Sequence, residues 1–174
     1  MSVTATWMED NGTATGSPAK GATRGNAASP IEWQSNDSRS TSRADHPILA
    51  GNNSFVKYNF VHFTGTFNSI SDVKFAHTAG VLGTGLKIYG AVSSQYQTPT
   101  ADSLVGLSDI SAVTPINSGA TVLMSTTGPE GANPTAELTA AGYTQYIVHQ
   151  LRTQNTAAAG DTGTATFTVQ YREN

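Results

Sequence analysis

The sequence predicts an all-β protein: an antiparallel β-sandwich or jelly roll with an extended polar N-terminal arm. Three observations carry this. Residues 164–171 alternate strictly, with Ala165, Phe167, Val169 and Tyr171 on one parity and Thr164, Thr166, Thr168 and Gln170 on the other. Residues 46–75 combine aromatics, turn residues and strand-like alternation in one run. The remainder holds short strand signals separated by Gly, Pro and Asn, the texture of a sandwich rather than of a helical domain.

Taken in order, residues 3–8 form a short strand with Val3, Ala5 and Trp7 on one face. Residues 11–29 are mostly Gly, Ala, Ser and Thr, and cannot bury enough apolar surface to offset their own ordering entropy. Ile31 and Trp33 make an isolated apolar patch, and polar residues return up to Asp45. The chain therefore divides into an N-terminal strand and extended arm over 1–45 and a β-sandwich domain over 46–174. The patch has two readings: an anchor on a partner, or a surface loop whose Trp fills a gap in its own fold. If the arm is separate, deleting 9–44 leaves the sandwich folded.

Residues 55–67 read as one long strand. Val56, Tyr58 and Phe60 share one parity, while Val61, Phe63 and Phe67 share the other. Such a change means a bulge near Phe60 or a strand covered on both faces. Asn68-Ser69 turns the chain into a strand over 72–76, and Gly83-Thr84-Gly85 turns it into another over 86–92. Residues 93–118 are irregular, 120–124 are a short strand, and 126–134 a loop with Gly-Pro and Asn-Pro. Residues 135–141 fit one helical turn capped by Thr135. Residues 143–152 and 164–171 complete the strands. No internal repeat is visible.

A chain of 174 residues suits one domain, or one domain plus an arm. Only 12% of residues are charged and 37% are hydrophobic, so solubility rests on hydroxyl and amide groups. A net charge of −3 gives no attraction to nucleic acid or an anionic membrane, and neither is expected as a partner. There is no cysteine, hence no disulfide and no thiolate metal site. The N-terminal residues lack the basic start and apolar core of a signal peptide, which points to synthesis and folding in a cytosol. No apolar run reaches about 18 residues.

The candidate chemistry is thin. Asp161-Thr162-Gly163 matches an aspartic-protease tripeptide, but that chemistry needs two carboxylates sharing a proton, and a turn explains the triplet better. His46, His62, His77 and His149 show no metal-ligand spacing, although His62 and His149 could meet across strands. Asp45-His46-Pro47 lacks a nucleophile beside it. No carboxylate pair marks a glycosidase, and Asp102 and Asp109 do not fit a calcium loop. No cofactor, metal or catalytic residue is therefore assigned. Interface energy concentrates in buried aromatics and Arg, so Ile31, Trp33, Arg39 and Arg43 are the candidate partner-binding residues of the arm.

Two groups of segments carry a resemblance. The first is His46-Pro47-Ile48 through Gly51-Asn52-Asn53-Ser54-Phe55 to Gly65-Thr66-Phe67-Asn68-Ser69-Ile70-Ser71. The second is Gly142-Tyr143-Thr144-Gln145-Tyr146-Ile147-Val148, Gln150, Thr156-Ala157 and the closing Tyr171-Arg172-Glu173. Together they resemble small virion structural proteins of tailed bacteriophages. The resemblance implies a non-enzymatic head decoration (cement) protein, made in the host cytoplasm and located in the virion. It would bind the major capsid protein or another virion protein, as a homo-oligomer of trimer type. A tail, adaptor or fibre-associated part is the alternative. A carbohydrate-binding sandwich is more remote, because it needs exposed Trp or Tyr on a sheet face. Trp7 and Trp33 are the only tryptophans.

Overall fold

A computed structural model describes residues 2–39, 44–158 and 163–174. Among the described residues twelve strands run in chain order: β1 (Ser2–Asn11), β2 (Thr23–Asn26), β3 (Lys57–Thr66), β4 (Ile70–Gly80), β5 (Leu86–Ser93), β6 (Ser108–Asp109), β7 (Ala120–Thr121), β8 (Met124–Ser125), β9 (Glu137–Leu138), β10 (Gly142–Thr144), β11 (Tyr146–Thr153) and β12 (Ala165–Glu173). The described residues hold no α-helix, and one 3-10 turn at Ile116–Ser118. The larger sheet has the order β2-β1-β3-β11-β5-β6, with β10 and β8 attached beside β3; the smaller has β12-β4-β7, with β9 also on β4. Every pairing is antiparallel.

The all-β sandwich expectation holds. Val61, Phe63 and Ile147 of the larger sheet meet Ile70, Val73, Phe75 and Leu138 of the smaller one in a single buried cluster. The parity change in β3 is also explained. Its register against β1 runs from Tyr58 to Thr66 without a break, so there is no bulge. Both faces are covered instead. Val61 and Phe63 face the smaller sheet, while Tyr58 and Phe60 join Val56, Tyr96, Tyr146 and Val148 in a second cluster on the outer face. Loop residues Ala14, Leu104 and Leu107 pack over that second cluster.

Three local expectations are corrected. Residues 135–141 form no helical turn. Glu137 and Leu138 pair with Ser71 and Ile70, because the one large apolar side chain of this segment, Leu138, fills the inter-sheet core. The strand expected at 120–124 is two short strands on different sheets, with β7 on β4 and β8 on β10. Between them Val122 donates its N–H to Val73 O at 3.0 Å and inserts in the core. The strand expected at 143–152 is interrupted at Gln145, which bonds Leu123 through both its backbone N–H and its side-chain oxygen.

The polar stretch after β1 is irregular, as its composition suggests, yet tightly held. β2 pairs with β1 from Met8 to Asn11. Gly21 packs so closely that a Cβ would lie 2.8 Å from Asn11 O. Gln34 is fully buried and its carbonyl accepts from Phe55 N. The entropy of ordering this stretch is offset by burial that it finds on the sheet, not within itself.

Candidate functional site

Adjacent residues of a strand point to opposite faces, so Glu9 and Asp10 enter two separate polar networks. On the inner face, Glu9 accepts from Lys57 Nζ at 3.0 Å, from Asn11 Nδ2 at 2.8 Å and from Asn59 Nδ2 at 3.3 Å. Glu9, Lys57 and Asn59 are almost wholly buried. Lys57 Nζ also donates to Ser38 O. Asp37 receives the Asn11 amide at 2.6 Å and the Gly12 N–H at 2.6 Å, which ties the polar stretch to the end of β1.

The same network reaches Trp33. Its indole Nε1 donates to His149 Nδ1 at 3.0 Å, and its ring stands edge-on to His149 and Phe167. An indole N–H only donates, so Nδ1 is an acceptor and the imidazole proton sits on Nε2. Nε2 then donates to Asn59 Oδ1 at 2.8 Å. Burial, helped by the charge on Lys57, pushes His149 down to about 3.

On the outer face Arg24 grips Asp10 with two parallel bonds, Nε to Oδ1 at 2.8 Å and Nη2 to Oδ2 at 2.7 Å, and reaches Glu130 Oε2 at 2.8 Å. Tyr146 donates its hydroxyl to Asp10 Oδ2 at 2.6 Å. The guanidinium lies over the Phe60 ring at 5.0 Å. Burial works against its charge, but the hydrogen bonds to Asp10 and Glu130 hold Arg24 above its ordinary value. Burial and the Asp10 bond push the Tyr146 hydroxyl up, and burial pushes Tyr58 up to about 12. Next to Arg24, His62 stacks on Tyr143 at 4.2 Å with 10° between planes. Burial and the Arg24 charge lower His62.

The candidate residues named from sequence are dispersed. Trp33 packs on its own domain. Arg39 donates to Glu9 O at 3.3 Å and lies against Gly25, bridging β1 and β2. Ile31 is half-buried. Arg43, and Asp161 and Thr162 of the protease-like triplet, lie outside the described residues. His62 and His149 do not meet. Lys57 is the register partner of His149 on β3, and His62 lies five positions further along, so the two imidazoles face opposite sides of the sheet. Asp109 pairs with Lys87 at 2.8 Å, while the Asp102 carbonyl accepts from Gln150. No cluster of His, Asp and Glu suited to a metal occurs among the described residues.

Sequence reasoning missed Glu9, Asp10, Lys57, Asn59 and Glu130. A signal did exist for two of them. Lys57 and Asn59 share the parity of Val61 and Phe63, and polar residues on a buried face need buried partners. The ionisable groups of both networks are hydrogen-bonded within them, and burial with the Lys57 charge holds His149 well below its ordinary value.

The open chemistry lies at one end of the sandwich. Leu49, Val81 and Val105 are 66%, 83% and 93% exposed. Their loops converge on the end of β11. Thr153 Oγ1 donates to Leu49 O at 3.1 Å, Arg152 Nη2 donates to Leu104 O at 3.1 Å, and Leu86, just after the 81–85 connection, pairs with Thr153. A polar cleft of about 630 Å³ opens between residues 47–53 and 101–103 at this end, with Asn52, Asn53, Asp102 and Ser103 on its wall. Comparison with protein-family models, with curated proteins and with solved structures finds no match for this chain.

Proposed function

We propose that this protein is a non-enzymatic structural component of a tailed-phage virion, a head decoration protein that binds and stabilises the shell. The observation that carries the reading is the loop end. Of the four large apolar side chains that stand in water among the described residues, Leu49, Val81, Val105 and Val113, the first three lie on loops tied to the end of β11, and Leu49 lines the polar cleft there. Isolated exposed apolar residues are ordinary, but a group rimmed by polar residues marks a contact surface. The buried networks support the reading from the other side, because they give a rigid carrier whose ionisable groups are spent on folding. The partner class comes from the resemblance to small virion proteins carried by segments of 46–71 and by 142–148, Gln150, Thr156-Ala157 and 171–173.

Electron microscopy of the native particle tests this. A decoration protein follows the head lattice with its loop end on the shell. A tail or adaptor part, the alternative within the virion, would be far scarcer and confined to the tail. The stacked His62–Tyr143 pair beside Arg24 favours one further reading, a carbohydrate-binding module, since sugars pack on such ring faces. Binding on a glycan array that is lost in Tyr143→Ala would support that module, and a flat array would dispose of it.

A further inference from the structure

The two sheets differ in how their edges are finished. Natural sheets blunt an edge with short strands, Lys, Pro or bulges, because a long bare edge offers unpaired N–H and C=O groups to another chain. The larger sheet ends in β2, four residues long, which leaves Ser2–Trp7 of β1 without a strand on that side among the described residues, and in β6, two residues long. On the smaller sheet β7 and β9 are two residues each. β12 is different: nine residues, no Lys and no Pro, paired on one side with β4 and with no strand on the other among the described residues. Its pairing with β4 shows two register shifts, and both place the extra residue on β4. Thr78 is skipped between the Thr166–Ala79 and Phe167–His77 pairs. Asp72 and Val73 oppose the single Tyr171. Asp72 takes the left-handed conformation there, φ 52°. β12 itself therefore stays regular. Its inward side chains Phe167, Val169 and Tyr171 pack on the core yet remain only half-buried. Backbone and side chains are both left incomplete along one edge.

The chain that completes such an edge must alternate apolar side chains inward with hydroxyl or amide side chains outward. A second copy of β12 does so. We infer that two copies of this protein pair antiparallel through β12, about a two-fold axis at Val169, to form one continuous sheet. In that register Phe167 lies opposite Tyr171 on the inner face, an aromatic pair that extends both cores. Thr168 lies opposite Gln170 and Thr166 opposite Arg172 on the outer face. Glu173 meets Ala165. No like charges oppose each other, whereas parallel pairing would set Arg172 on Arg172 and Glu173 on Glu173. This pairing does not rest on the virion reading; it follows from the edge alone.

Sedimentation equilibrium of the full chain tests it. The expected result is a concentration-dependent dimer. The double variants Thr168→Lys with Gln170→Lys and Thr168→Glu with Gln170→Glu each set like charges opposite one another. Each should weaken the dimer at least about tenfold. An equimolar mixture of the two should recover it as a heterodimer. Val169→Cys keeps the test independent of those substitutions, since the chain otherwise has no cysteine. Oxidation should cross-link that variant as a dimer, and should leave Ala79→Cys, which is exposed on β4, largely uncross-linked. A wild-type chain that stays monomeric at every concentration would overturn the inference. So would an oligomer indifferent to the charge variants, which would mean a different surface or a foreign strand on this edge.

Discussion

Trp33 donates its indole N–H to His149 Nδ1 at 3.0 Å, across 116 positions of chain, and by doing so sets the tautomer of a fully buried imidazole. The proton that His149 retains on Nε2 then orients Asn59, whose amide in turn donates to Glu9 and to Met8 O. One indole thus joins the polar stretch before β3 to the centre of the larger sheet.

Trp33→Phe keeps most of the ring and removes the donor. It leaves a buried acceptor unpaired, so stability should fall by about 1–3 kcal/mol. Trp33→Ala adds loss of packing and should cost about 3–5 kcal/mol. Urea unfolding of the three proteins measures both. Equal stability of the wild type and the Phe variant would show that the bond contributes nothing.

His149 also predicts a pH dependence. Its folded value, about 3, lies below the unfolded value of roughly 6.5. Between those limits the unfolded chain binds the extra proton. The contribution is therefore complete above about pH 6.5 and is lost as pH falls toward 3, at up to about 1.4 kcal/mol per pH unit. Nitrogen NMR of the imidazole should show the Nε2–H tautomer persisting below pH 5. A residue that titrates near 6.5 in the folded protein would contradict the buried arrangement.

The Glu9–Lys57 pair is nearly inaccessible on both sides. Lys57→Met strands the carboxylate and should cost about 3–5 kcal/mol. The double variant Glu9→Gln with Lys57→Met removes both charges and should cost clearly less than the sum of the single changes. Additive losses in thermal unfolding would mean that the pair is not coupled.

Deleting residues 9–44 should prevent folding, the reverse of what the polar composition of that stretch suggests. The cut removes Glu9, Asp10, Arg24 and Trp33 together, so that Lys57 loses Glu9 and the Ser38 carbonyl, Glu130 loses Arg24, and His149 loses the indole donor. Circular dichroism and proteolysis of the shortened chain decide this. A cooperative transition in the shortened chain would restore the view of an independent arm.

These outcomes separate what the sequence made legible from what it did not. The alternation in β12 and the double parity in β3 are local patterns, and both elements appear where local periodicity puts them. The helical turn expected near Thr135 failed because a seven-residue propensity is weak against one buried Leu138. The networks stayed hidden for another reason. Glu9 and Asp10 fall between the short strand read over 3–8 and the polar stretch from 11, and only the fold brings Asp10 to Tyr146, 136 residues away. Trp33 reads from sequence either as an anchor on a partner or as a side chain filling a gap in its own fold, and the fold gives it the chain's own His149.

The loop end can be probed without disturbing this interior. Leu49→Ser, Val81→Ser and Val105→Ser change exposed tips, and each should leave stability within about 0.5 kcal/mol. The most direct measurement is electron microscopy of virions carrying the triple variant beside wild-type virions. The expected result is wild-type protein on the head lattice, loop end inward, with occupancy strongly reduced for the variant. Absence of the wild-type protein from the head, or full occupancy by the variant, would contradict a decoration protein that binds through this end.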